Sequence, residues 1–336
     1  MKIAVLVSGG VDSSLALQLL HEQGHDVTAF YLKIWLEEEL SFLGSCPWED
    51  DLSYVKKLCD KLNVPLEVVS LQKEYWDRVV SYTVDEVKAG RTPNPDMLCN
   101  QRVKFGAFFD KIDDSCRKGC AFRKGGTFRK GGAFEKVATG HYAQIEQHSG
   151  VFSLKRTPDP IKDQTYFLAH LNQKQLSRVL FPVGNLTKQQ VRQLAEKYDL
   201  PSKDRKDSQG ICFLGKIKYD EFIRHHVGVK FGDIVEFETG EKLGTHEGFW
   251  YHTIGQRRGL GLSGGPWYVI DKDMPKNIVF VSNKYYSTDK SPLRNRFNVA
   301  DCSWILGKKP EKTKVEVKVR HGQSLYLSKI ELDEAG

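Results

Sequence analysis

The sequence predicts an α/β protein with a doubly wound parallel sheet, followed by smaller modules, and three observations support this. Strand-like and helix-like segments alternate over the first 140 residues, which is typical of parallel strands joined by crossover helices. A glycine-rich turn stands between the first strand and the first helix, where such a sheet forms its ligand crevice. From Lys230 onward strand and turn signals dominate, which predicts small, mostly antiparallel β modules.

The elements of the predicted sheet follow in order along the chain. Residues 3–7 form a continuous apolar run that suits a central strand buried on both faces. Residues 13–23 carry leucines at helical spacing, and Gly24 stands where a left-handed C-terminal cap is expected. The other members are strands at 27–34, 66–71 and 136–139, and a helix that begins at Asp50 and ends before Pro65.

The second half of the chain has two helical segments before its β-rich tail. Thr187 and Gln190 have the spacing of a capping box, which predicts that a helix begins there. A second short helix is predicted at 219–226. Strands are predicted at 233–238, 248–253, 267–270, 278–281, 314–319 and 325–332.

The composition is that of a globular protein. The chain has 336 residues, 40% of them hydrophobic and 28% charged, which excludes a disordered chain. No apolar run approaches the roughly 18 residues that a membrane span needs, and the N-terminal apolar run is too short for a secretory signal. Seven cysteines, an odd number, suit a reducing compartment. We expect no membrane association and a cytoplasmic location; the alternative is an organelle, with the presequence missing from this chain.

Two stretches concentrate positive charge. Residues 111–136 hold eight basic and three acidic side chains, and residues 308–320 hold six and two. Such patches occur on ordinary solvated surfaces and also mark a polyanion partner. The first stretch contains a tandem hexad repeat over 116–134, whose paired glycines predict a mobile basic loop. Its Cys116 and Cys120 lack a second pair at metal spacing, so no metal site is predicted there. The sequence shows no dedicated ligand set for an iron–sulfur cluster and leaves that question open.

The turn after the first strand reads Val7-Ser-Gly-Gly-Val-Asp-Ser-Ser14 and has the features of a phosphate-binding loop. Gly9 and Gly10 let the backbone approach phosphate oxygens, and the amides of the helix N-terminus point at the anion. Ser8 and Ser13 add hydroxyl donors, and Asp12 can position Mg²⁺ beside the phosphates. No Walker A pattern is present. The segment resembles the pyrophosphatase-type loop (PP-loop) of ATP-using enzymes that release pyrophosphate, which implies adenylylation.

Two cysteines stand in contexts that favour reactivity. Cys99 precedes a predicted helix at 101–111, and a helix N-terminus enriches the nucleophilic thiolate. Cys212 is flanked by Gly210 and Gly215, which permit turns. Taken alone, a cysteine is more often a small buried hydrophobe.

Six short segments carry a family resemblance. They are Ser8-Gly-Gly-Val-Asp-Ser13, Thr92-Pro-Asn-Pro-Asp96 with Cys99-Asn100, Ala138-Thr-Gly-His-Tyr142, Lys162-Asp-Gln-Thr-Tyr166, Asp207-Ser-Gln-Gly-Ile-Cys212 and Thr253-Ile-Gly-Gln-Arg-Arg-Gly259. In this order they closely resemble the tRNA-specific 2-thiouridylase (tRNA-uridine 2-sulfurtransferase) family, from residue 3 to about residue 321. The resemblance implies an adenine nucleotide alpha-hydrolase-like, PP-loop catalytic domain over 1–177, to which 205–225 return. It also implies a central domain over 178–204 and 226–284 and an incomplete C-terminal β-barrel module over 285–336.

The resemblance also implies the chemistry. ATP adenylylates the 2-carbonyl oxygen of the wobble uridine in tRNA, and a persulfide sulfur on Cys212 then replaces that oxygen. Cys99 is the implied nucleophile, and the two cysteines form a disulfide when sulfur is released. The implied ATP-binding residues are Leu6, Val7, Ser8, Gly9, Gly10, Val11, Asp12, Ser13, Leu32 and Gly140. The implied tRNA-binding residues are Asn94, Pro95 and Asp96 at the target base, Lys162, Asp163 and Gln164, and Arg320 and His321.

The implied cofactors are ATP and Mg²⁺, and the implied partners are a tRNA with a wobble uridine and a sulfur donor, either a cysteine desulfurase or a sulfur-relay protein. A monomer is favoured. Two alternatives stay open, a PP-loop ligase acting on a small metabolite and a non-catalytic tRNA-binding relative. The hexad repeat makes the stretch from Cys99 to Gly140 longer than the family's usual spacing. Relatives are also expected to continue beyond residue 336 through further barrel strands.

Overall fold

The computed structural model of the chain describes residues 1–34, 48–117, 123–124, 127–128, 133–207, 219–284, 296–322 and 324–332. Contacts divide it into two compact units. The first unit comprises Met1–Arg78, Asp96–Gly215 and Cys302–Gly336, and the second comprises Val79–Pro95 and Lys216–Asp301. The domain boundaries expected from the sequence stay a prediction. Along the described residues, no helix combines the length and the apolar character that a membrane crossing requires.

A five-stranded sheet forms the centre of the first unit. All of its neighbouring strands pair in parallel, which confirms the predicted parallel sheet. Their order is β3 (Leu66–Ser70), β2 (Asp26–Lys33), β1 (Lys2–Leu6), β6 (Lys136–Ala138) and β9 (Val179–Leu180). Central strand β1 places Val5 opposite Ala29 on one side and Ala138 on the other. The strands up to this point are β1 Lys2–Leu6, β2 Asp26–Lys33, β3 Leu66–Ser70, β4 Arg123–Lys124, β5 Thr127–Phe128, β6 Lys136–Ala138, β7 Gln144–His148, β8 Val151–Lys155 and β9 Val179–Leu180.

Three of these short pairings were not predicted. The β7–β8 hairpin and strand β9 lie in polar or very short stretches that carry little periodicity. Strands β4 and β5 come from the hexad repeat and pair with each other. Most of the repeat, between residues 118 and 132, lies outside the described residues, so the predicted mobile loop stays a prediction.

The helices cover the sheet much as their apolar spacing predicts. Helix α1 buries Leu15 and Leu17 completely, and α8 packs against it through Val191 and Ala195. Gly24 has φ +76°, as its predicted capping role requires. The α-helices are α1 Val11–Glu22, α2 Trp48–Leu62, α3 Gln72–Tyr75, α4 Ser81–Lys88, α5 Pro95–Leu98, α6 Phe108–Arg117, α7 Gln173–Leu176, α8 Lys188–Lys197 and α9 Tyr219–Val227. Two π-helices span Trp76–Val80 and Cys99–Ala107, and 3₁₀ turns span Thr165–Leu168 and Phe249–Tyr251.

The second unit contains a four-stranded sheet in the order β11-β10-β13-β12. Two of its three pairings are antiparallel and the pairing of β10 with β13 is parallel, which confirms a mostly antiparallel module. Its buried core includes Ile234, Val269 and Val279. The strands are β10 Gly232–Glu236, β11 Lys242–His246, β12 Tyr268–Asp273 and β13 Ile278–Ser282.

The strand predicted at 248–253 is wrong. The backbone turns at Gly248, where φ is +149°, and continues as the 3₁₀ turn Phe249–Tyr251. The aromatic run resembles a strand in composition, but Trp250 Nε1 and Tyr251 OH both donate to the carbonyl oxygen of Gly228. These shared bonds require the two neighbouring side chains to lie on the same side, which an extended strand does not allow.

The C-terminal segment forms an antiparallel hairpin within the first unit. Its strands are β14 Lys314–Val317 and β15 Tyr326–Lys329, shorter than the predicted ranges. The capping box predicted at residues 187–190 is also present, since Thr187 Oγ1 and the Gln190 side chain each accept from the other's backbone amide.

Candidate active site

The glycine-rich loop leaves the carboxyl end of β1 and turns directly into α1. Gly9 adopts φ +75°, a conformation that favours glycine, and α1 begins two residues later at Val11. Inside the loop, the Ser8 amide donates to Ser13 Oγ over 3.1 Å, and Ser13 Oγ donates to the Gly10 carbonyl over 3.2 Å. The loop is therefore braced by its own serines at the N-terminus of a helix, as phosphate binding requires.

Arg205 holds this loop from outside. Its Nη1 donates to the Gly9 carbonyl oxygen over 2.9 Å, and its Nη2 donates to Asp51 Oδ1 over 2.6 Å. The guanidinium also lies over the Tyr54 ring, 4.5 Å from its centroid. A Cβ at Gly9 would come within 2.6 Å of the Asp51 carbonyl oxygen. The loop conformation thus depends on the close approach of Asp51, in α2, and of Arg205.

Asp12, in the first turn of α1, accepts hydrogen bonds from two side chains. Tyr142 OH donates to Asp12 Oδ1 over 2.6 Å, and Lys188 Nζ lies 2.7 Å from the same oxygen. Burial, followed by the negative charge of Asp12, raises the pKa of Tyr142 far above its ordinary value. The phenol therefore stays protonated and acts as a permanent donor to the carboxylate.

Asp207 gathers three cations beside the loop. It accepts from Lys162 Nζ, from Lys188 Nζ over 2.8 Å and from Arg192 Nη2 over 2.6 Å. Burial by itself raises the pKa of this carboxyl group, but the Lys162 and Lys188 ammonium groups outweigh burial and lower the pKa well below its usual range. Asp207 is therefore ionised throughout the physiological range. Lys188 bridges it to Asp12 of the loop.

The other predicted ATP-binding residues lie on adjacent strands of the same sheet. Leu32 stands near the carboxyl end of β2 and Gly140 follows the carboxyl end of β6, the two neighbours of β1. A Cβ at Gly140 would lie 2.6 Å from the Asp12 carbonyl carbon and the Ser13 amide nitrogen. The fold brings these segments to one edge, together with Leu6, Val7, Ser8, Gly9, Gly10, Val11, Asp12 and Ser13.

Cys99 is buried, with 1% of its surface exposed, but its predicted position at a helix N-terminus is wrong. The short helix α5 precedes it, and Leu98 between them has helical φ and ψ, so the winding continues into the π-helix Cys99–Ala107. Cys99 is therefore one turn inside the helix. Because the dipole effect falls off within the first turn, it does not activate this thiol.

The π-helix that begins at Cys99 is held by amide side chains. Gln175 Nε2 donates over 2.8 Å to the carbonyl oxygens of both Gln101 and Phe105. Asn100, which is 3% exposed, donates from Nδ2 to the Phe167 carbonyl oxygen. π-helices are rare in proteins, and those that occur are often at functional sites. A π-helix here therefore fits a reactive cysteine at its first residue.

The structure describes only some of the residues predicted to contact the base and to transfer sulfur. Pro95 is the first residue of α5, as its fixed φ favours, and Asn94 and Asp96 on either side are half-buried. Cys212 lies outside the described residues. The approach of Cys99 to Cys212 therefore stays a prediction.

The two predicted tRNA-binding segments of the first unit lie next to each other. Asp163 is 4% exposed, and its Oδ2 lies 3.2 Å from Lys318 Nζ on the segment that follows β14. The ring centroids of His321 and Phe167 are 4.6 Å apart. Gln164 Oε1 accepts from the Tyr142 amide, which ties this segment to the phenol that contacts Asp12. Arg320 and His321 are exposed. Their contacts with tRNA, and those of Lys162, stay predictions.

Comparison with known proteins identifies the family. A family model described as the tRNA methyl transferase HUP domain matches residues 1–216, and one described as the tRNA methyl transferase PRC-barrel domain matches residues 220–283. A tRNA-specific 2-thiouridylase MnmA of Parabacteroides distasonis is 50% identical over 285 residues, covering 85% of this chain and 74% of that protein. The chain belongs to the tRNA-specific 2-thiouridylase family.

A second 2-thiouridylase, MnmA 1 of Bacteroides thetaiotaomicron, is 43% identical over 340 residues, covering 100% of this chain and 90% of that protein. Among solved structures, the U34-tRNA thiolase NcsA from Methanococcus maripaludis, with its [4Fe-4S] cluster, is 15% identical. That comparison has a TM-score of 0.35 and covers 63% of this chain and 61% of the other.

Several residues of this 2-thiouridylase site were not predicted. Tyr142 belongs to a motif that carried the resemblance, but its bond to Asp12 was not foreseen. Lys188 and Arg192 share one face of α8, and Arg205 precedes the Cys212 motif by a few residues. Over the described part of the chain, no group of three or more His, Cys, Asp or Glu side chains could hold a metal ion.

We expect Gly140→Ala to slow pyrophosphate release by about 100-fold, because the added methyl group would displace the start of α1 and misplace the bound phosphates. The measurement is pyrophosphate release with ATP and tRNA. Gly24→Ala is the matched control, since its Cβ meets no atom within 4 Å. It should cost about 1 kcal/mol of stability through its positive φ and leave release intact. Equal rates for Gly140→Ala and the parent would contradict the close packing described.

Proposed function

We propose that this chain catalyses ATP-dependent 2-thiolation of the wobble uridine of tRNA. The observation that carries the proposal is the set of residues that meet at one edge of the parallel sheet. There the braced glycine loop, Asp12 and Gly140 converge at the carboxyl ends of adjacent parallel strands. That arrangement suits a nucleoside triphosphate. The sequence has no Walker A lysine, which would favour transfer of the γ-phosphate.

The first step is adenylylation of the base. The amides at the start of α1 and the Ser8 hydroxyl bind the phosphates that leave together, and Ser13 keeps the loop in shape. The uridine 2-carbonyl oxygen bonds to the α-phosphorus while the bond from that phosphorus to the bridging oxygen breaks, and the electron pair departs with pyrophosphate. The N3 proton passes to solvent. The oxygen at C2 is now part of AMP, a much better leaving group.

The second step exchanges oxygen for sulfur. The terminal sulfur of a Cys212 persulfide attacks C2, and AMP leaves with the electron pair of the broken bond. The Cys99 thiolate then attacks the Cys212 sulfur, which forms a disulfide and releases 2-thiouridine. Disulfide geometry requires the two Cα atoms to approach to about 4.4–6.8 Å at that moment. A thiol reductant from outside the chain restores both cysteines.

The tRNA is held by charge and read at one base. Basic side chains such as Lys162 and Arg320 neutralise phosphates without reading sequence. The target uridine leaves its stack so that its carbonyl can be reached, and the short polar side chains of Asn94 and Asp96 hydrogen-bond its exposed edge. The adjacency of Asp163 and Lys318 supports one continuous tRNA-binding surface over both predicted segments of the first unit.

Magnesium fits the loop as a companion of ATP. Mg²⁺ commonly takes one or two carboxylates together with substrate phosphates. Within the described residues, both hydrogen bonds of Asp12 end on Oδ1, which leaves Oδ2 for a cation. Asp12 would therefore hold the ion, whose chemistry is to neutralise charge on the phosphates.

The sulfur comes from a cysteine desulfurase or a sulfur-relay protein, because Cys212 must be loaded with a persulfide before each turnover. The enzyme acts in the cytoplasm as a monomer on this proposal.

Mass spectrometry of tRNA nucleosides tests the proposed function. The chain is incubated with ATP, Mg²⁺, a persulfide source and unmodified tRNA, and 2-thiouridine should form only when ATP is present. Release of pyrophosphate with a small metabolite and no tRNA would instead indicate the ligase alternative. Binding of tRNA with neither product would indicate a non-catalytic relative.

A further inference from the structure

Lys188 stands at a position in the first unit that neither the sequence motifs nor the family resemblance assigned a role. It is the first residue of α8, directly after the capping residue Thr187, and its backbone amide donates to Asp159 Oδ2 over 2.9 Å. Because α8 packs against α1, the origin of the side chain is fixed relative to the loop. The side chain is 16% exposed, so it is largely buried and keeps some access to a ligand.

The ammonium group of Lys188 is oriented by two carboxylates. Its Nζ lies 2.7 Å from Asp12 Oδ1 and 2.8 Å from Asp207 Oδ1. An ammonium has three N–H donors, and its two contacts among the described residues leave one donor. Asp12 belongs to the phosphate-binding loop itself, so the remaining donor lies beside the place where phosphate oxygens would be held.

The charge of Asp12 sets a requirement that Lys188 meets. The Asp12 carboxylate adds to the negative charge of the ATP phosphates, which one Mg²⁺ does not cancel fully, and the neutral phenol of Tyr142 cannot cancel the rest. A lysine ammonium cancels that charge and keeps a donor for an anion. If Lys188 served only to join α8 to α1, its third N–H donor would need no ligand.

We infer that Lys188 is a catalytic residue that contacts the phosphate oxygens of ATP and stabilises the charge that develops on departing pyrophosphate. This inference rests on the proposed ATP-dependent function. Lys188 acts through its charge, and neither bond making nor bond breaking involves it. Its ammonium is already placed before the reaction, which is how fixed electrostatic groups lower a barrier.

The test compares Lys188→Gln and Lys188→Arg with Lys61→Gln. Lys61 is the matched control because its Nζ donates to the carbonyl oxygens of Tyr198 and Asp199, at the far end of the same helix, away from the loop. We expect Lys188→Gln to weaken ATP binding about 10- to 100-fold by isothermal titration calorimetry, and to slow pyrophosphate release about 100- to 1,000-fold. Lys188→Arg should recover part of both losses, and Lys61→Gln should match the parent.

ATP binding is measured without tRNA, so this result stands even if the chain fails to make 2-thiouridine and the proposed function is wrong. The inference is overturned if Lys188→Gln binds ATP and releases pyrophosphate within threefold of the parent. It is also overturned if Lys188→Gln and Lys61→Gln lose activity equally with the same fall in melting temperature. Should Lys188→Gln not fold, Lys188→Arg decides the question. A partial fall in ATP affinity and in pyrophosphate release at an unchanged melting temperature supports the phosphate contact, and parent values of both contradict it.

Discussion

We expect Cys99→Ser and Cys212→Ser each to abolish sulfur incorporation into tRNA. A serine hydroxyl cannot carry a persulfide, and it cannot attack a disulfide sulfur at neutral pH as a thiolate does. The fall should therefore reach the detection limit of nucleoside mass spectrometry for both variants. Adenylylation uses neither sulfur atom, so pyrophosphate release with tRNA should continue and show that each variant is folded.

Cys302→Ser is the control for this pair. Cys302 is exposed and lies in the C-terminal segment, so its loss should leave 2-thiouridine formation unchanged. Turnover that survives in either Cys99→Ser or Cys212→Ser would mean that the two cysteines do not share one sulfur atom. The proposed second step would then be wrong, while the adenylylation step would stand.

Asp12→Asn should reduce pyrophosphate release by about 100- to 1,000-fold, with tRNA binding within a few fold of the parent. The asparagine oxygen can still accept from Tyr142 OH, but the side chain no longer attracts Lys188 or Mg²⁺. The measurement is pyrophosphate release at saturating ATP, with tRNA affinity determined separately by filter binding.

Asp77→Asn removes a carboxylate of the same size from an exposed ion pair with Lys73 and should change neither quantity. If Asp12→Asn lost tRNA binding and kept normal pyrophosphate release, the division between a nucleotide loop and a separate tRNA-binding surface would have to be reversed.

The parts of the site that the sequence predicts are those encoded by neighbouring residues. The turn from β1 into α1 is local, because glycines, serines and Asp12 within one short stretch determine it. The residues that complete it come from far along the chain. Tyr142, Lys188 and Arg205 reach the loop across sequence separations of 130, 176 and 196 residues. No periodicity or local motif encodes such contacts, since they arise only when the sheet and α8 have packed.

Secondary structure shows the same limit. Long helices such as α1 and α2 were predicted within a few residues, because apolar residues recur over several of their turns. The π-helix Cys99–Ala107 was predicted as an ordinary helix that begins later, at residue 101. Two of its carbonyl oxygens accept hydrogen bonds from the side-chain amide of Gln175, which belongs to a distant segment. The local sequence around Cys99 therefore does not predict this contact.

The same wide winding constrains how this stretch can vary in length. Each hydrogen bond of a π-helix spans five residues where an α-helix spans four, so the stretch holds surplus residues relative to ordinary winding. Deleting a single residue between Cys99 and Phe108 would let the backbone relax to the tighter form. The carbonyl oxygens that pair with the Gln175 amide would then be drawn into ordinary helical bonds, and the wide turn that begins at the thiol would be lost. Selection should therefore tolerate substitutions here more readily than insertions or deletions.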